Sequence, residues 1–249
     1  MRRKVLVCCA MGEPYVALTR RMIDSFMRHN CLGWDVMEFY DEDLRSLLPM
    51  VFQGFTDFDT CEIGRFYAIK KALETYDTAL YCDGDIRWYD KYIEHKNGLV
   101  LTPHYVTKQA QKANRNLEFR TGFTNTGLIE MNKTDETVDM LDYIFTETQT
   151  HMPRIMFNGK LWEQNFVHMI PLCGFDAVYN LDAGINVAYW NLKRGDRKLI
   201  SRGDGYIVET VDGTIAPLKC FHFSSSGLKF LDEVGARDLR KEYQNESRR

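Results

Sequence analysis

Asp77-Thr-Ala-Leu-Tyr-Cys-Asp-Gly-Asp-Ile-Arg-Trp-Tyr89 contains an apolar run that ends in two carboxylates. Residues 78–82 are β-branched, aromatic or small and carry no charge, which predicts a buried strand. In an open α/β sheet, ligands bind beyond the carboxyl ends of the strands. Alternate side chains of an extended segment point the same way, so Asp83 and Asp85 can face one cation, with Gly84 leaving room for its approach. The same residues would also suit a solvated turn.

Size and composition are those of an ordinary globular protein. The chain has 249 residues, 45% hydrophobic and 27% charged, which favours one elaborated domain over two. A net charge of −3 argues against nucleic acid as the main partner. We expect no transmembrane segment, because no apolar stretch reaches the roughly 18 residues needed to cross a bilayer. We also expect no signal peptide, because Met1-Arg-Arg-Lys leads straight into a strand without a signal-peptide core. Cysteines without a Cys-x-x-Cys pair favour reduced thiols in a cytoplasmic protein. The oligomeric state is left open.

The chain before the carboxylates predicts a β-α-β start. Residues 4–10 predict a strand, residues 14–29 carry an apolar stripe at helical spacing, and residues 34–40 predict a second strand. This order implies parallel pairing of the two strands. No Gly-x-Gly-x-x-Gly stands at the first turn, so the dinucleotide-binding fingerprint is absent. Residues 41–60 indicate no regular structure, and a helix is expected over residues 61–76.

Strands and helices continue to alternate after the carboxylates. We expect strands or extended segments at 98–106, 123–132, 184–190 and 218–223, and helices at 134–148 and 159–169. Between the first two strands, four basic side chains stand against one acidic side chain, Glu118. The basic residues are Lys108, Lys112, Arg115 and Arg120. This segment is expected to be mobile or solvated, or else to form a lid or acceptor-binding loop that carries charge for phosphate.

Four motifs, in order, resemble those of GT-A fold glycosyltransferases, above all glycosyltransferase family 8 and related nucleotide-diphospho-sugar transferases. Asp83-Gly-Asp85 resembles the family's Asp-x-Asp motif, and Asn125-Thr-Gly127 resembles its Asn-small-Gly strand. Glu163-Gln164 resembles its Asp-Gln pair, and His222 to Lys229 resembles its closing His, Gly and Lys motif. The resemblance implies an α/β fold with a central, mostly parallel sheet flanked by helices. It predicts a single GT-A (Rossmann-like) domain over residues 1–231 and a charged, solvated C-terminal helix or tail over residues 232–249.

The resemblance also implies a function. The protein would be a metal-dependent glycosyltransferase of the hexosyltransferase type, as in polysaccharide biosynthesis. It would move a sugar from a nucleotide-sugar donor, with UDP the implied nucleotide, to a glycan or lipid-linked glycan acceptor, with retention favoured. Asp83, Asp85 and His222 would hold Mn²⁺ or Mg²⁺, and the imidazole nitrogen suits Mn²⁺ better than Ca²⁺. Peripheral membrane contact through the basic segment would bring the protein to a lipid-linked acceptor.

Further roles are implied for the remaining motif residues. Asp83 would also reach toward the ribose, and Gln164 would lie near the anomeric carbon. Glu163 and Asn125 would bind sugar hydroxyls. The donor's pyrophosphate would be contacted by the closing motif, with Gly227 and Lys229, and by Arg65, although helical spacing alone places Arg65 on a solvated face. If the enzyme inverts, a general base is needed, and Glu163 and Asp182 are the candidates.

Other interpretations of the same residues stay open. Haloacid-dehalogenase phosphatases also place Asp-x-Asp after an apolar strand, and Asp83 would then be the nucleophile. A non-catalytic protein that binds a nucleotide sugar or glycan would keep the same ligands without turnover. His222 taken alone is also typical of a core histidine. The aromatic pair Tyr189-Trp190 is either an acceptor platform, with Asn186 nearby, or part of the buried core.

Overall fold

The computed structural model describes most of the chain, and a six-stranded sheet lies at its centre. The described residues are 2–52, 54–96, 98–121, 123–151, 167, 170, 174–203, 205–223, 231–232 and 236–246. Within them the strands are β1 (Lys4–Ala10), β2 (Trp34–Tyr40), β3 (Thr78–Cys82), β4 (Ile86–Trp88), β5 (Leu99–Pro103), β6 (Thr124–Asn132), β7 (Ala177–Tyr179), β8 (Val187–Ala188), β9 (Arg197–Arg202), β10 (Gly205–Thr210), β11 (Ile215–Pro217) and β12 (Cys220–His222). The helices are α1 (Glu13–Asn30), α2 (Asp41–Ser46), α3 (Asp57–Leu73), α4 (Lys108–Thr121), α5 (Asp135–His151), α6 (Tyr189–Lys193) and α7 (Arg237–Glu246), with a 3-10 turn at Met50–Phe52.

The central sheet has the strand order β2-β1-β3-β6-β5-β7. Strand β1 pairs in parallel with β2 and β3, and β5 pairs in parallel with β7, whereas β6 runs antiparallel to β3 and β5. Because β6 is reversed, its beginning lies at the same edge as the ends of β1, β3 and β5. Ligands of open α/β sheets bind at this edge, beside the switch point where the strand order reverses. In this sheet the switch point lies between β1 and β3. The expected α/β class with a central, mostly parallel sheet is confirmed.

Both faces of the sheet are covered. In β1, Val5 and Val7 pack with apolar side chains of α3 and α5, whereas Leu6 and Cys8 pack with apolar side chains of α1. All four side chains are fully buried. A strand with helices on both faces has a continuous apolar sequence instead of an alternating one, which is the pattern that predicted it.

A second sheet joins the later part of the chain to the carboxylate turn. Its order is β4-β12-β8, and β12 runs antiparallel to β4 and parallel to β8. In this register His222 lies opposite Ile86 on one side and opposite Ala188 on the other. A third sheet, β11-β10-β9, is antiparallel. The second sheet therefore places the end of β12 directly beside Asp85.

The expectation of an irregular segment over residues 41–60 is wrong. Helix α2 and the 3-10 turn lie within it, and α3 begins at Asp57 instead of residue 61. The side chain of Thr56 accepts a hydrogen bond from the backbone N–H of Asp59 at 3.1 Å, which is a helix N-cap. The sequence pattern did not show it because α3 is buried on several sides and lacks one apolar stripe.

Two of the later segments differ from expectation, and a third is not tested. Residues 108–121 form helix α4, begun by Thr107, whose hydroxyl accepts from the backbone N–H of Ala110 at 3.3 Å. The extended segment expected at 184–190 reduces to β8 followed by α6. The helix expected at 159–169 lies outside the described residues, apart from residue 167.

Helix α7 packs against the rest of the structure. Leu239 and Tyr243 are buried, and the Tyr243 ring stacks on Phe223 with centroids 4.5 Å apart. The expected solvated helix is therefore wrong for this face of α7, while the domain boundary at residue 231 stays a prediction. Among the described residues, no helix combines the length and apolarity needed to cross a membrane. Six cysteines in this part of the chain are free thiols, and Cys31 is exposed.

Candidate metal centre

The two carboxylates lie on the turn that leads from β3 into β4. The backbone N–H of Ile86 donates to the Asp83 carbonyl at 3.1 Å, which closes this turn. Side-chain exposure is 25% for Asp83 and 28% for Asp85, so both carboxylates reach the crevice at the strand ends. The expected position at the end of a buried strand is correct.

His222 completes a cluster of three candidate ligands. Its Nε2 lies 3.1 Å from Oδ1 of Asp85, because β12 pairs with β4 in the register described above. Ligand atoms of Asp83, Asp85 and His222 all lie within 4.8 Å of one another. Two carboxylate oxygens and one imidazole nitrogen at this spacing can share a single divalent cation. The structure thus brings together the three residues that were predicted as metal ligands.

Asn186 holds the His222 ring in one orientation. The Asn186 Nδ2 donates to Oδ1 of Asn125 at 3.0 Å, so the Asn186 Oδ1 is the atom that faces Nδ1 of His222, at 3.1 Å. When His222 is neutral, its proton must then lie on Nδ1, which leaves the lone pair on Nε2, the nitrogen that faces Asp85. Asn125 Oδ1 also accepts from the Gly127 N–H at 3.0 Å. Asn186 has a φ of 46°, a conformation that asparagine adopts more readily than most residues.

Gly127 keeps the space between the ligands open. Its carbonyl accepts from the Asp83 N–H at 2.8 Å, so β6 lies directly against the end of β3. A Cβ at this position would come within 2.7 Å of Asp83 Oδ2 and 2.8 Å of His222 Cε1. Only glycine fits here without moving a ligand, and the resulting gap between a carboxylate and an imidazole suits a cation.

Gly84 has a different role from the expected one. A Cβ on Gly84 would collide with the Thr19 hydroxyl and lie 3.1 Å from the Thr19 backbone. The space beside Gly84 is therefore filled by helix α1, and it does not serve the approach of a cation. The close contact instead fixes the carboxylate turn against α1.

The charges of the cluster favour an ion pair when no cation is bound. Burial lowers the pKa of His222, but the charges of Asp85 and Asp83 and the hydrogen bond to Asp85 raise it, and the pKa ends above its ordinary value. Burial raises the pKa of Asp85, but the charge and hydrogen bond of His222 outweigh burial, so that pKa is lowered. A divalent cation would take the place of the proton that the pair shares.

Tyr81 and Arg65 hold Asp83 from the side of the sheet. The Tyr81 hydroxyl donates to Asp83 Oδ1 at 2.7 Å, and Nη1 of Arg65 lies 3.7 Å from the same oxygen. Burial raises the pKa of Tyr81 well above its ordinary value, so the phenol keeps its proton. Tyr81 precedes Asp83 by two positions on a strand, and this alternation is the signal that could have identified it.

Arg65 is buried, so the expectation of a solvated face is wrong. Only 3% of its side chain is exposed. Nη1 donates to the carbonyl and the hydroxyl of Thr126, at 2.9 and 3.0 Å, and Nη2 donates to Glu62 at 2.7 Å. Helical spacing misplaced Arg65 because α3 presents polar side chains to the edge of β6 as well as to solvent.

The other predicted site residues have mixed outcomes. Asn125 lies beside the cluster, as described. Asp182 accepts from the ammonium group of Lys219 and from the Gly184 N–H at 2.8 Å. Glu163, Gln164, Gly227 and Lys229 lie outside the described residues, and their roles stay predictions.

Trp190 and His104 were not assigned to the metal centre from the sequence. The half-buried Trp190 ring lies with its centroid 5.3 Å from that of His222 and 6.4 Å from that of His104. His104 directly follows β5, at the same edge of the sheet as Asp83.

A separate cavity of about 590 Å³ lies between α6 and the β9–β10 hairpin, and none of its lining residues belongs to the metal centre.

The sheet and the cluster define an open α/β protein with a candidate cation site at the switch point of its strand order. The particular fold is GT-A, the fold of nucleotide-sugar transferases, and the expected fold is confirmed. A glycosyltransferase involved in the glycosylation of the major capsid of PBCV-1 has a TM-score of 0.55, with 10% identity, over 93% of this chain and 98% of that chain. Galactosyltransferase LgtC, in complex with donor and acceptor sugar analogs, has a TM-score of 0.54, with 14% identity, over 93% of this chain and 95% of that chain.

Mouse xyloside xylosyltransferase 1, in its apo form, has a TM-score of 0.50 at 11% identity, over 89% of this chain and 98% of that chain. At these identities the likeness establishes the fold. No protein-family model matches the sequence, and the search of curated proteins gives no match.

Proposed function

We propose that this protein is a metal-dependent glycosyltransferase of the hexosyltransferase type. It takes a sugar from a nucleotide-diphosphate donor, a UDP-sugar, and transfers it to a glycan or lipid-linked glycan acceptor. The observation that carries the proposal is the cluster of Asp83, Asp85 and His222, open to the crevice at the switch point of a GT-A sheet. Fold alone would not assign an activity, but these ligands suit a cation that binds a diphosphate.

The ligand set favours Mn²⁺, with Mg²⁺ as the second choice. Ca²⁺ and Mg²⁺ prefer oxygen ligands, whereas an imidazole nitrogen suits a transition metal. When bound, the cation would offset the negative charge that develops on the diphosphate leaving group. Asp83, Asp85 and His222 would supply three ligands, which would leave further coordination positions to the phosphates.

Neighbouring residues prepare the ligands. Tyr81 and Arg65 orient Asp83 through the contacts described above. Asn186 keeps the lone pair of His222 on Nε2. Because these partners are buried and fixed by further hydrogen bonds, the ligands need little rearrangement to bind a cation.

Roles in donor binding follow from the family resemblance. Asn125 and Glu163 would bind sugar hydroxyls, Gln164 would lie near the anomeric carbon, and Gly227 and Lys229 would bind the pyrophosphate. Retention is favoured because Asp182, one of the two candidate bases, is already engaged in an ion pair with Lys219. Arg65 already donates to Thr126 and Glu62, so its contact with the pyrophosphate would be limited to electrostatic support.

Helix α4 offers a route to a lipid-linked acceptor. Lys108, Lys112 and Arg115 are exposed and lie on one side of the helix, because they are spaced by four and three residues. This face would contact an anionic membrane peripherally. Replacing the three residues by glutamine should reduce binding to vesicles that contain an anionic phospholipid. Unchanged vesicle binding would contradict the membrane contact without affecting the proposed transfer.

The decisive experiment measures nucleotide binding and donor hydrolysis. UDP and a panel of UDP-sugars are titrated, with and without Mn²⁺, into the wild-type protein, the Asp85→Asn variant and a surface control, Asp142→Asn, whose side chain is 58% exposed. We expect Mn²⁺-dependent binding that weakens at least tenfold in Asp85→Asn, and slow hydrolysis of one UDP-sugar. Binding without hydrolysis or transfer would support a non-catalytic binding protein. Absence of nucleotide binding with any metal, or trapping of phosphate on Asp83, would overturn the proposal in favour of other classes.

A further inference from the structure

Trp190 is held rigidly between the metal centre and the end of β5. Asn191, the next residue, accepts from the Ala188 N–H at 2.9 Å and donates to the His104 carbonyl at 2.6 Å. Because β8 pairs with β12, Ala188 lies opposite His222. These bonds fix the backbone on both sides of Trp190, so its ring has a defined position in the crevice.

The contacts of the indole leave part of it open. Trp190 is half-buried, and its ring meets His222 and His104 edge-to-face, with interplanar angles of 70° and 75°. A large aromatic ring serves well for packing when fully buried, as Trp88 is in this chain. An indole that is partly exposed beside candidate metal ligands instead has an apolar surface available to a ligand.

The sheet topology indicates which ligand that is. The strand order reverses between β1 and β3, and nucleotides bind at such a switch point. Strand β5 lies on the other side of β3, beyond β6. His104 and Trp190 therefore lie on the β5 side of the candidate metal centre, away from the switch point where a nucleotide is expected, and this side is available to the sugars.

We propose that Trp190 stacks on the apolar face of a neutral hexopyranose in the acceptor, and that the His104 imidazole hydrogen-bonds one of its hydroxyls. The inference rests on the proposed glycosyltransferase function and adds the acceptor class and the residue that selects it. A pyranose has a face of C–H groups that matches an indole, and hydroxyls at its rim that match an imidazole. The contact places the acceptor next to His222, at the side of the metal centre where a sugar would be transferred.

The test uses saturation-transfer NMR on the full chain with UDP and Mn²⁺. The probes are methyl β-galactopyranoside, methyl α-glucopyranoside and methyl α-mannopyranoside. We expect the wild-type protein to transfer saturation to the C–H protons of at least one probe, and Trp190→Ala to bind that probe about fivefold or more weakly. Trp190→Phe, which retains an aromatic face, should recover part of the affinity. Leu32→Ala removes an apolar side chain that is 89% exposed beyond the C-terminal end of α1, at the opposite edge of the sheet, and it should bind the probe as the wild type does.

The outcomes separate this inference from the proposed function. If the wild type binds UDP but none of the pyranosides, or if Trp190→Ala and Trp190→Phe bind them as tightly as the wild type, the acceptor site at Trp190 is refuted and the transferase remains. If the wild type does not bind UDP with any metal, the proposed function fails first. Equal loss in Trp190→Ala and Leu32→Ala would also refute the specific role of Trp190.

Discussion

Replacing Asn186 by alanine tests how the metal centre is assembled. The substitution removes the acceptor of the His222 Nδ1 proton and the donor to Asn125, and it leaves Asp83, Asp85 and His222 in place. The imidazole is then free to rotate or to exchange its proton between the two nitrogens. Either change takes the lone pair away from the position that faces Asp85, so we expect weaker metal binding without loss of a ligand.

The size of the effect follows from these bonds. Loss of a hydrogen-bond partner behind a metal-ligating histidine costs about 10- to 100-fold in metal affinity, or about 1.4–2.8 kcal/mol. Asn186 is only 3% exposed, so water does not readily replace its side chain. The unpaired His222 Nδ1 proton adds a cost in folding stability of about 1–3 kcal/mol.

The assay is a titration of Mn²⁺ into the UDP complex, with free Mn²⁺ followed by electron paramagnetic resonance. The matched control is Asn180→Ala. Asn180 is also buried, at 7% exposure, and accepts from the Asp182 N–H at 3.1 Å, but it does not bond to a candidate ligand. We expect a larger loss of stability in Asn186→Ala, because alanine adopts the φ of 46° at this position less readily than asparagine, and a loss of Mn²⁺ affinity in Asn186→Ala alone. Wild-type affinity in folded Asn186→Ala, or an equal loss in Asn180→Ala, would refute the assignment of Asn186 as the orienting partner of His222.

Three further predictions concern the gap beside Gly127, the proton of His222 and the packing of helix α7. Gly127→Ala should abolish measurable Mn²⁺ binding in an isothermal titration, because its Cβ would come within 2.7 Å of Asp83 Oδ2. The Mn²⁺-induced rise in melting temperature should grow as the pH is raised, because the cation displaces the proton of His222, whose pKa is raised although burial alone would lower it. The stability of the metal-free protein changes with pH in the opposite direction. The stabilisation from protonated His222 is complete below about pH 6.5 and is lost as the pH rises through the raised pKa of His222. Leu239→Ala should lower the free energy of unfolding in urea by roughly 2–5 kcal/mol, because Leu239 is fully buried.

Each of these has a clear contrary result. Gly127→Ala is compared with Gly84→Ala, which should destabilise the protein through its clash with Thr19, and equal Mn²⁺ affinity in Gly127→Ala and wild type would contradict the role of the gap. A Mn²⁺-induced shift that does not change between pH 5.5 and 8 would mean that no proton is displaced. A loss below about 0.5 kcal/mol in Leu239→Ala would show that α7 contributes little to the core.

The sequence was most informative where one physical requirement dominates. Strands β1, β2 and β3 were predicted at their observed bounds. For β1 and β3 the reason is that a strand covered on both faces needs an unbroken apolar run, whereas β2 lies at the sheet edge and carries the exposed Asp35 and Glu38. The two candidate carboxylate ligands were predicted for a similar reason: carboxylates at the end of a buried strand need a ligand or solvent. His222 lies far from them in sequence, and only the order of the family motifs connected it to Asp83 and Asp85.

Residues that act through tertiary contacts were less predictable. Arg65 was assigned to a solvated face because helical spacing does not show that β6 lies against α3. The bond from Asn186 to His222 depends on the parallel pairing of β8 with β12, two short strands without a sequence signal. Helix α4 is rich in polar residues, so its pattern resembled a loop, although Thr107 caps its first turn.

The pairing of β12 with β4 has a consequence for the order of events during synthesis. Asp83 and Asp85 leave the ribosome about 140 residues before His222, which at the usual rate of roughly 5–20 residues per second corresponds to about 7–28 s. During that time the central strands and helices can form, but the third ligand does not yet exist. The nascent chain therefore carries only part of a cation site, and full metal affinity should appear late, when β12 docks beside β4.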